Sequence, residues 1–281
     1  MKNTDELTGF ILRALDEDVG AGDFSSLASV DEGAAGRARL LAKEDGILAG
    51  MEVAKVVFRI VDPGLDVRLL AADGQLISPG MVLMTVEGEE RSILKAERLM
   101  LNIVQRMSGI ATATARYVKE VEGTGAKIID TRKTTPGMRF LEKEAVRIGG
   151  GANHRMGLFD MIMLKDNHID YAGGIRAAIE KTHNYLRKTG LKLKIEVESR
   201  SIEDVREILA TGGIDRIMLD NFSVPLTAEA VKLINGQTET ESSGGITLTN
   251  VRGYAECGVD FISIGALTHH IKSLDLSLKA F

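Results

Sequence analysis

The chain has 281 residues, 44% of them hydrophobic and 27% charged, which is typical of a globular protein with a packed core. Its formal net charge of −5 argues against a general role in binding nucleic acid or a membrane surface. Cys257 is the single cysteine, which excludes an intrachain disulfide, and no apolar run is long enough to span a membrane. We therefore expect a cytoplasmic protein.

The first hundred residues predict a small domain of mixed structure. Residues 5–17 place leucine and isoleucine at helical spacing, and a loop rich in glycine, aspartate and serine is expected from Gly20 to Ser26. Between residues 36 and 86, short β-prone runs are separated by turn-forming pairs, with one helix near Met51 to Ile60. This pattern favours a small β-rich domain that carries one helix.

A long helix is predicted next, from Ser92 to Val121, with a possible break at Ser108-Gly109. From Lys127 onward, six short apolar runs alternate with polar helical stretches: KIID, MIMLK, LKIEVE, RIMLD, TETESS and FISIG. Strands that alternate with helices indicate parallel βα units. Six such units predict either a barrel or a doubly wound sheet.

Polar side chains follow nearly every predicted strand of this second part. Because the carboxyl ends of parallel strands lie at one edge, these side chains are expected to line a common pocket. Five cationic residues belong to the set, namely Arg132, Lys133, His154, Arg155 and Lys165. Such a cluster of like charge is costly without an anion, and guanidinium groups pair well with phosphates and carboxylates. The pattern therefore predicts an anionic ligand.

The remaining residues of the predicted pocket divide into glycine-rich and acidic groups. The run from Ser242 to Gly245 offers backbone N–H groups before a helix, as a phosphate site does, and Gly265 can act in the same way on the next strand. Glu196 and Asp220 are oxygen ligands on neighbouring strands, and Mg²⁺ prefers few carboxylates together with substrate phosphates. These groups predict a magnesium–pyrophosphate complex beside the cations.

The run DTRKTTPGMRFLEKEAVRIGGGANHRMGLFDMIMLKDNHI, residues 130–169, resembles the corresponding segment of the quinolinate phosphoribosyltransferases. Further segments match that family in order along nearly the whole chain: EDVGAGDFS at 17–25, AERLMLNIVQRMSGIATAT at 96–114, MLDNF at 218–222, SSGGIT at 242–247 and GVDFISIGALTHH at 258–270. Motifs of this length and chemistry are far more specific than a lone glycine pattern.

The resemblance implies an α/β fold with two domains. Residues 1–108 would form an N-terminal α/β sandwich, residues 109–270 a C-terminal parallel α/β barrel, and residues 271–281 would pack back on the first domain. It also implies a homodimer with active sites shared between subunits, Mg²⁺ as cofactor, and quinolinate and phosphoribosyl pyrophosphate as substrates. The implied products are nicotinate mononucleotide, pyrophosphate and carbon dioxide.

The resemblance also implies a role for each matching residue. The quinolinate carboxylates would be held by Arg98, Arg132, His154, Arg155 and Lys165. Lys133 would lie near the reacting centre, and Glu196 and Asp220 would serve the ribose hydroxyls and the magnesium complex. The 5′-phosphate would be held by Ser243, Gly244 and Gly265, with His269 nearby.

Two alternatives remain open from the sequence. One is a paralogue of the same fold that is associated with molybdate transport and has a different substrate. The other is a non-catalytic protein that binds phosphoribosyl compounds. Glu196 and Asp220 favour catalysis, because anion binding alone does not call for carboxylates beside phosphates.

Overall fold

The protein, described here from a computed structural model that covers residues 4–281, consists of two compact units. The first unit comprises the chain up to Ala115 together with Thr135–Gly150 and His270–Phe281. The second unit comprises Arg116–Thr134 and Gly151–His269. Both units are discontinuous in sequence. The domain boundaries expected after residues 108 and 270, with residues 271–281 packing back on the first domain, remain a prediction.

The structure contains helices and strands throughout both units. The helices are α1 (Thr4–Val19), α2 (Phe24–Ser29), α3 (Met51–Val61), α4 (Glu90–Glu120), α5 (Arg139–Ile148), α6 (Asp166–Ala172), α7 (Ile175–Thr189), α8 (Ile202–Thr211), α9 (Val224–Ile234), α10 (Val251–Glu256) and α11 (Ala266–His269). The strands are β1 (Ala35–Ala42), β2 (Gly46–Ile47), β3 (Asp66–Leu69), β4 (Leu76–Ile77), β5 (Val82–Glu89), β6 (Lys127–Ile129), β7 (Ile162–Leu164), β8 (Ile195–Ser199), β9 (Arg216–Asp220), β10 (Glu239–Ser243), β11 (Phe261–Ser263) and β12 (Leu276–Ala280).

The first unit is built on an antiparallel sheet with the strand order β12-β1-β5-β3. Its edge strand β12 comes from the end of the chain and pairs with β1, so that Leu278 lies opposite Leu40. Helix α3 contributes Val57 and Phe58 to the core of this unit, where both are fully buried. The sheet and its helix thus form a mixed α/β unit of their own.

The loop expected from Gly20 to Ser26 is shorter than predicted, because α2 begins within it. Asp23 accepts the backbone N–H of Ser26 at 3.1 Å and caps the first turn of this helix. A short polar side chain that takes up a free N–H group stabilises a helix start. The sequence Asp-Phe-Ser-Ser therefore initiates a helix where loop composition alone predicted none.

Helix α4 runs without interruption through Ser108 and Gly109, where a break was expected. Ser108 is fully buried and its hydroxyl oxygen accepts the backbone N–H of Ala49 at 3.0 Å. A Cβ on Gly109 would lie 3.1 Å from Ser273 Cα. The glycine therefore permits close packing against a backbone segment and does not end the helix.

The second unit is built on six parallel strands in the order β6-β11-β10-β9-β8-β7. Strands β7 to β11 are neighbours in sequence order, and the first strand, β6, pairs with the last, β11. This cyclic order belongs to a barrel, because a doubly wound sheet reverses its strand order at a switch point. The predicted α/β class, with a separate sandwich-type unit, is confirmed. No helix within residues 4–281 has both the length and the apolar character needed to cross a membrane.

Candidate active site

A cavity of about 480 Å³ opens at the carboxyl ends of the parallel strands, and every residue around it belongs to the second unit. Its lining consists of Thr131, Arg132, Lys133, His154, Arg155, Met163, Lys165, Asp166, Glu198, Met218, Asp220, Asn221, Glu241, Ser243, Gly244, Gly245 and Ser263. Eight residues predicted from the sequence therefore meet in one cavity, in the position that parallel α/β folds use for ligands. These eight are Arg132, Lys133, His154, Arg155, Lys165, Asp220, Ser243 and Gly244.

One wall of the cavity is cationic. Burial, and then the charge of Arg132, lower the pKa of Arg155, which shows that the two guanidinium groups oppose each other. Arg155 is held in place by donating to the backbone oxygen of Met161 at 3.1 Å. The Nε of Arg132 is buried and has no hydrogen-bond partner among the described residues. An anion bound here could therefore accept hydrogen bonds from both guanidinium groups and reduce the repulsion between them.

Four acidic residues line the cavity, namely Asp166, Glu198, Asp220 and the fully buried Glu241. Glu198 on β8 and Asp220 on β9 are half-buried and lie on neighbouring strands. Burial, and then the charge of Asp220, raise the pKa of Glu198, while the charge of Lys165 opposes that rise. Asp220 accepts a hydrogen bond from Asn221 Nδ2 at 2.7 Å. Two carboxylates open to a cavity of this size fit a hydrated Mg²⁺ ion that also binds substrate phosphates.

Glu196 lies behind the residues that line the cavity. This residue has no exposed surface and does not line the cavity. Its Oε2 lies 3.0 Å from Nε2 of His154, below the cavity floor. Residues 196 and 198 share one face of β8, because side chains alternate along a strand, and the later residue lies nearer the carboxyl end. Glu198, and not Glu196, therefore reaches the cavity, and the role predicted for Glu196 remains a prediction.

Glu196 belongs to a buried network with Arg216 and with His154 and Glu241, the last two of which also line the cavity. His154 Nε2 lies 3.4 Å from Glu241 Oε2, and Arg216 Nη1 donates to the same oxygen at 2.9 Å. Burial alone would lower the pKa of His154, but hydrogen bonds and charges from Glu196 and Glu241 raise that pKa to about 9. The backbone N–H of Arg155 lies 2.6 Å from Nδ1, so protonation of the ring must lengthen that contact.

His154, Glu196 and Glu241 are also residue types that bind metal ions, and their ligand atoms lie within 4.8 Å of one another. Burial, and then the charge of Glu241, raise the pKa of Glu196, while His154 and Arg216 partly offset both effects. The two carboxylates already have two cationic partners, so this network is balanced without a metal ion. The open pair Glu198 and Asp220 fits Mg²⁺ better.

A glycine-rich turn also lines the cavity. Gly244 and Gly245 have φ values of +91° and +62°, which glycine adopts without strain. The turn follows β10 and presents Ser243 and successive backbone groups to the cavity. Successive backbone N–H groups in such a turn form a concave site for anions.

Gly265 and His269 lie beside Lys133, although neither lines the cavity. A Cβ on Gly265 would lie 2.9 Å from His269 Nε2 and 3.0 Å from Lys133 Cδ. The buried hydroxyl of Thr268 donates to the backbone oxygen of Lys133 at 2.8 Å. Glycine at 265 therefore allows the side chains of Lys133 and His269 to approach the end of β11.

Arg98 is the one predicted site residue that belongs to the first unit. It lies on α4, and its side chain is exposed. Its predicted role in a partner's site remains a prediction.

Sequence reasoning did not assign a role to several residues of the cavity. Glu198 follows Glu196 by two positions, so the alternation of side chains along β8 places both on one face and does not distinguish them. Met163 and Met218 provide an apolar surface, and methionine in a strand usually indicates only core packing. Asn221 follows Asp220 directly and has a φ of +57°, which the sequence does not reveal.

Comparisons with known proteins agree along the whole chain. Residues 23–108 match the family model described as quinolinate phosphoribosyl transferase, N-terminal domain, and residues 110–279 match the model for the C-terminal domain. The chain is 47% identical to the chloroplastic, carboxylating nicotinate-nucleotide pyrophosphorylase of Arabidopsis thaliana, covering 98% of this chain and 83% of that protein. It is 43% identical to a probable enzyme of the same name from Synechocystis, covering 94% and 89%.

A solved structure agrees as well. The crystal structure of NadC from Streptococcus pyogenes superimposes with a TM-score of 0.92 at 40% identity, covering 98% of this chain and 95% of that chain. Two family models, close relatives and a matching fold lead to one conclusion. This chain belongs to the quinolinate phosphoribosyltransferase family.

Proposed function

We propose that this chain transfers a phosphoribosyl group from phosphoribosyl pyrophosphate to quinolinate and releases pyrophosphate and carbon dioxide. The product is nicotinate mononucleotide, a precursor of NAD. The observation that supports this proposal most is that one cavity contains three kinds of group. These are two guanidinium groups, the half-buried carboxylates of Glu198 and Asp220, and a glycine-rich turn. The guanidinium groups suit a dicarboxylate, whereas the carboxylates and the glycine-rich turn suit a phosphorylated sugar.

The quinolinate end of the site is the cationic wall. Arg132, Arg155 and Lys165 pair with the two adjacent carboxylates of the pyridine ring, and His154 adds a further positive charge from the floor. Met163 supplies an apolar surface for the ring. Binding a dianion relieves the repulsion between the two guanidinium groups, so affinity for quinolinate follows from the same charges that are unfavourable in the empty site.

The phosphoribosyl end comprises the glycine-rich turn and the two open carboxylates. Ser243 and Gly244 hold the 5′-phosphate through backbone and hydroxyl donors, with Gly265 and His269 beside them. Glu198 and Asp220 bind the ribose hydroxyls, and the same two carboxylates would hold Mg²⁺. The ion would supply positive charge to the leaving pyrophosphate.

The reaction separates charge at the ribose C1 atom. The bond from C1 to pyrophosphate breaks and its electron pair leaves with pyrophosphate, so that positive charge develops on the sugar. Asp220 and Glu198 stabilise that charge, and Lys133 stabilises the leaving oxygen. The pyridine nitrogen then forms a bond to C1 and becomes a pyridinium. The carboxylate next to the ring nitrogen then leaves as carbon dioxide, and the electrons of the broken C–C bond stay on the ring carbon beside the cationic nitrogen. That carbon takes a proton from water.

The test is a direct assay. The purified protein is incubated with quinolinate, phosphoribosyl pyrophosphate and Mg²⁺, and nicotinate mononucleotide and carbon dioxide are measured. We expect both products in equal amounts. Binding without turnover would instead indicate a non-catalytic binder, and turnover of another acceptor without carbon dioxide would indicate the molybdate-associated paralogue.

We further propose a homodimer in which Arg98 of one subunit completes the cavity of the other. An exposed arginine on a helix face that also carries exposed Leu94 is consistent with a subunit contact. We also propose a cytoplasmic location, on the basis of the single cysteine. The Arabidopsis relative is described as chloroplastic, so location is a separate question from activity.

A further inference from the structure

Asn221 has a left-handed backbone, which asparagine adopts more readily than most residues that carry a side chain. It has a φ of +57°, and the only other residue with positive φ that is not glycine, within residues 4–281, is Asn235 at +45°. Asn235 has an evident reason, since it ends helix α9 as a left-handed cap. Asn221 ends no helix, and it lines the cavity next to Asp220.

The Asn221 side chain is fixed by two neighbours. Its Nδ2 donates to Asp220 Oδ2 at 2.7 Å, and a carboxylate accepts only, so this end of the amide must be the nitrogen. The other end faces Gly244, where an added Cβ would lie 2.6 Å from Asn221 Cγ. Residue 244 must therefore be glycine for the amide to fit in this orientation.

The Asn221 backbone is also held by the glycine-rich turn. Its N–H donates to the backbone oxygen of Ser243 at 2.8 Å. One residue thus contacts Asp220 on β9 through its side chain and the turn after β10 through both backbone and side chain. Left-handed backbone at a residue with a side chain costs free energy, and such strain persists where surrounding contacts require it.

We propose that Asn221 is a positioning residue that ties the Asp220 carboxylate to the phosphate-binding turn Ser243–Gly245. The inference rests on the proposed function, in which these two groups hold opposite parts of one phosphoribosyl substrate. Because both groups are attached to Asn221, its loss disturbs them together, whereas loss of the Asp220 charge alone leaves the turn intact.

Two variants separate positioning from folding. Asn221→Gly suits the positive φ, so the melting temperature should not fall, yet it removes the amide that holds Asp220. Asn221→Asp keeps the size of the side chain but replaces the donor with an acceptor. The matched controls are Asn235→Gly and Asn235→Asp, which change the other left-handed asparagine, an exposed residue that does not line the cavity.

Two measurements are made on each protein. Calorimetry without Mg²⁺ gives the dissociation constant of ribose 5-phosphate, and steady-state kinetics give kcat and KM for phosphoribosyl pyrophosphate. For both Asn221 variants we expect ribose 5-phosphate to bind about tenfold more weakly, with a rise in KM and a fall in kcat, because hydrogen bonds to charged groups contribute on that scale. Both Asn235 variants should match the wild type in the dissociation constant of ribose 5-phosphate, in kcat and in KM.

The inference is overturned if either Asn221 variant keeps wild-type ribose 5-phosphate affinity and kinetics. It is also overturned if Asn221→Gly lowers the melting temperature together with activity, since that result indicates a structural role. The proposed function fails separately. The wild type could bind ribose 5-phosphate more tightly than both Asn221 variants and still form no nicotinate mononucleotide. That result would support the positioning role and exclude the proposed reaction.

Discussion

Glu196 and Glu198 lie two residues apart on one strand face but in different surroundings. Glu196 is fully buried beside His154, whereas Glu198 lines the cavity with Asp220. The position of each carboxylate along β8 decides whether it lines the cavity or is buried behind the lining residues. Two substitutions that differ only in position therefore separate chemistry from stability.

Glu198→Gln should lower turnover roughly 10²-fold or more, with little change in the free energy of unfolding, because a stabilising charge near the ribose is lost. Glu196→Gln should instead lower the free energy of unfolding by roughly 2–3 kcal/mol, because it breaks a buried charge network. Kinetics and denaturant unfolding of both variants check this. Equal kinetic loss in the two variants with unchanged stability would contradict the assignment.

His154 gives the floor of the cavity a dependence on pH. Glu196 and Glu241 raise its pKa to about 9 in the folded protein, against an ordinary value of 6.5. A raised pKa means that the folded state holds the proton more tightly, so this stabilisation is complete below pH 6.5 and is lost as pH rises through 9.

We therefore expect the resonance of His154 in a histidine NMR titration to have its midpoint near 9. Glu241→Gln removes one of the two carboxylates and should move the midpoint down. His154→Gln identifies the resonance. A midpoint near the ordinary value in the wild type would contradict this prediction, because it would mean that burial cancels the effect of the two glutamates.

At the scale of elements, Gly109 lowers the helix propensity of α4 but allows the helix to pack closely against the backbone at Ser273. Alanine has a higher helix propensity than glycine, so Gly109→Ala should stabilise the helix by itself. A Cβ at this position would lie 3.1 Å from the backbone Cα of Ser273, which cannot move without shifting the chain. Overpacking of this kind outweighs a gain in propensity.

Gly109→Ala is expected to lower the free energy of unfolding by about 1–3 kcal/mol. The matched control is Gly9→Ala in α1, where an added Cβ would meet only the flexible end of Arg13 at 3.3 Å. That substitution should raise stability by roughly 0.5–1 kcal/mol. Denaturant unfolding of both proteins gives the comparison, and a stabilised Gly109→Ala protein would show that the backbone contact yields easily.

At the scale of the whole molecule, the proposed dimer predicts complementation between inactive subunits. Arg98→Ala and Lys165→Ala should each be nearly inactive as pure proteins. A mixed dimer contains one site with both defects and one intact site, so activity should return to about half of the wild-type value per mixed dimer. If mixed dimers form and remain inactive, each site lies within one chain and Arg98 has another role.

Much of the architecture was predictable from the sequence. The alternation of apolar and polar runs after Lys127 identified six parallel strands, because hydrophobic periodicity is a local property of the chain. The same runs indicated where the strands end, and eight of the predicted residues meet in one cavity there. The matched segments also identified the family.

Other properties were decided only by the tertiary structure. Sequence could not distinguish Glu196 from Glu198, because the depth of a side chain depends on where the strand lies in the sheet. It also could not show that Gly109 permits a backbone contact, or that Asn221 adopts a left-handed conformation beside Gly244. These features arise from residues that are distant in sequence and close in space. Local sequence patterns therefore determined the helices and strands, whereas the packing of those elements determined the geometry of the site.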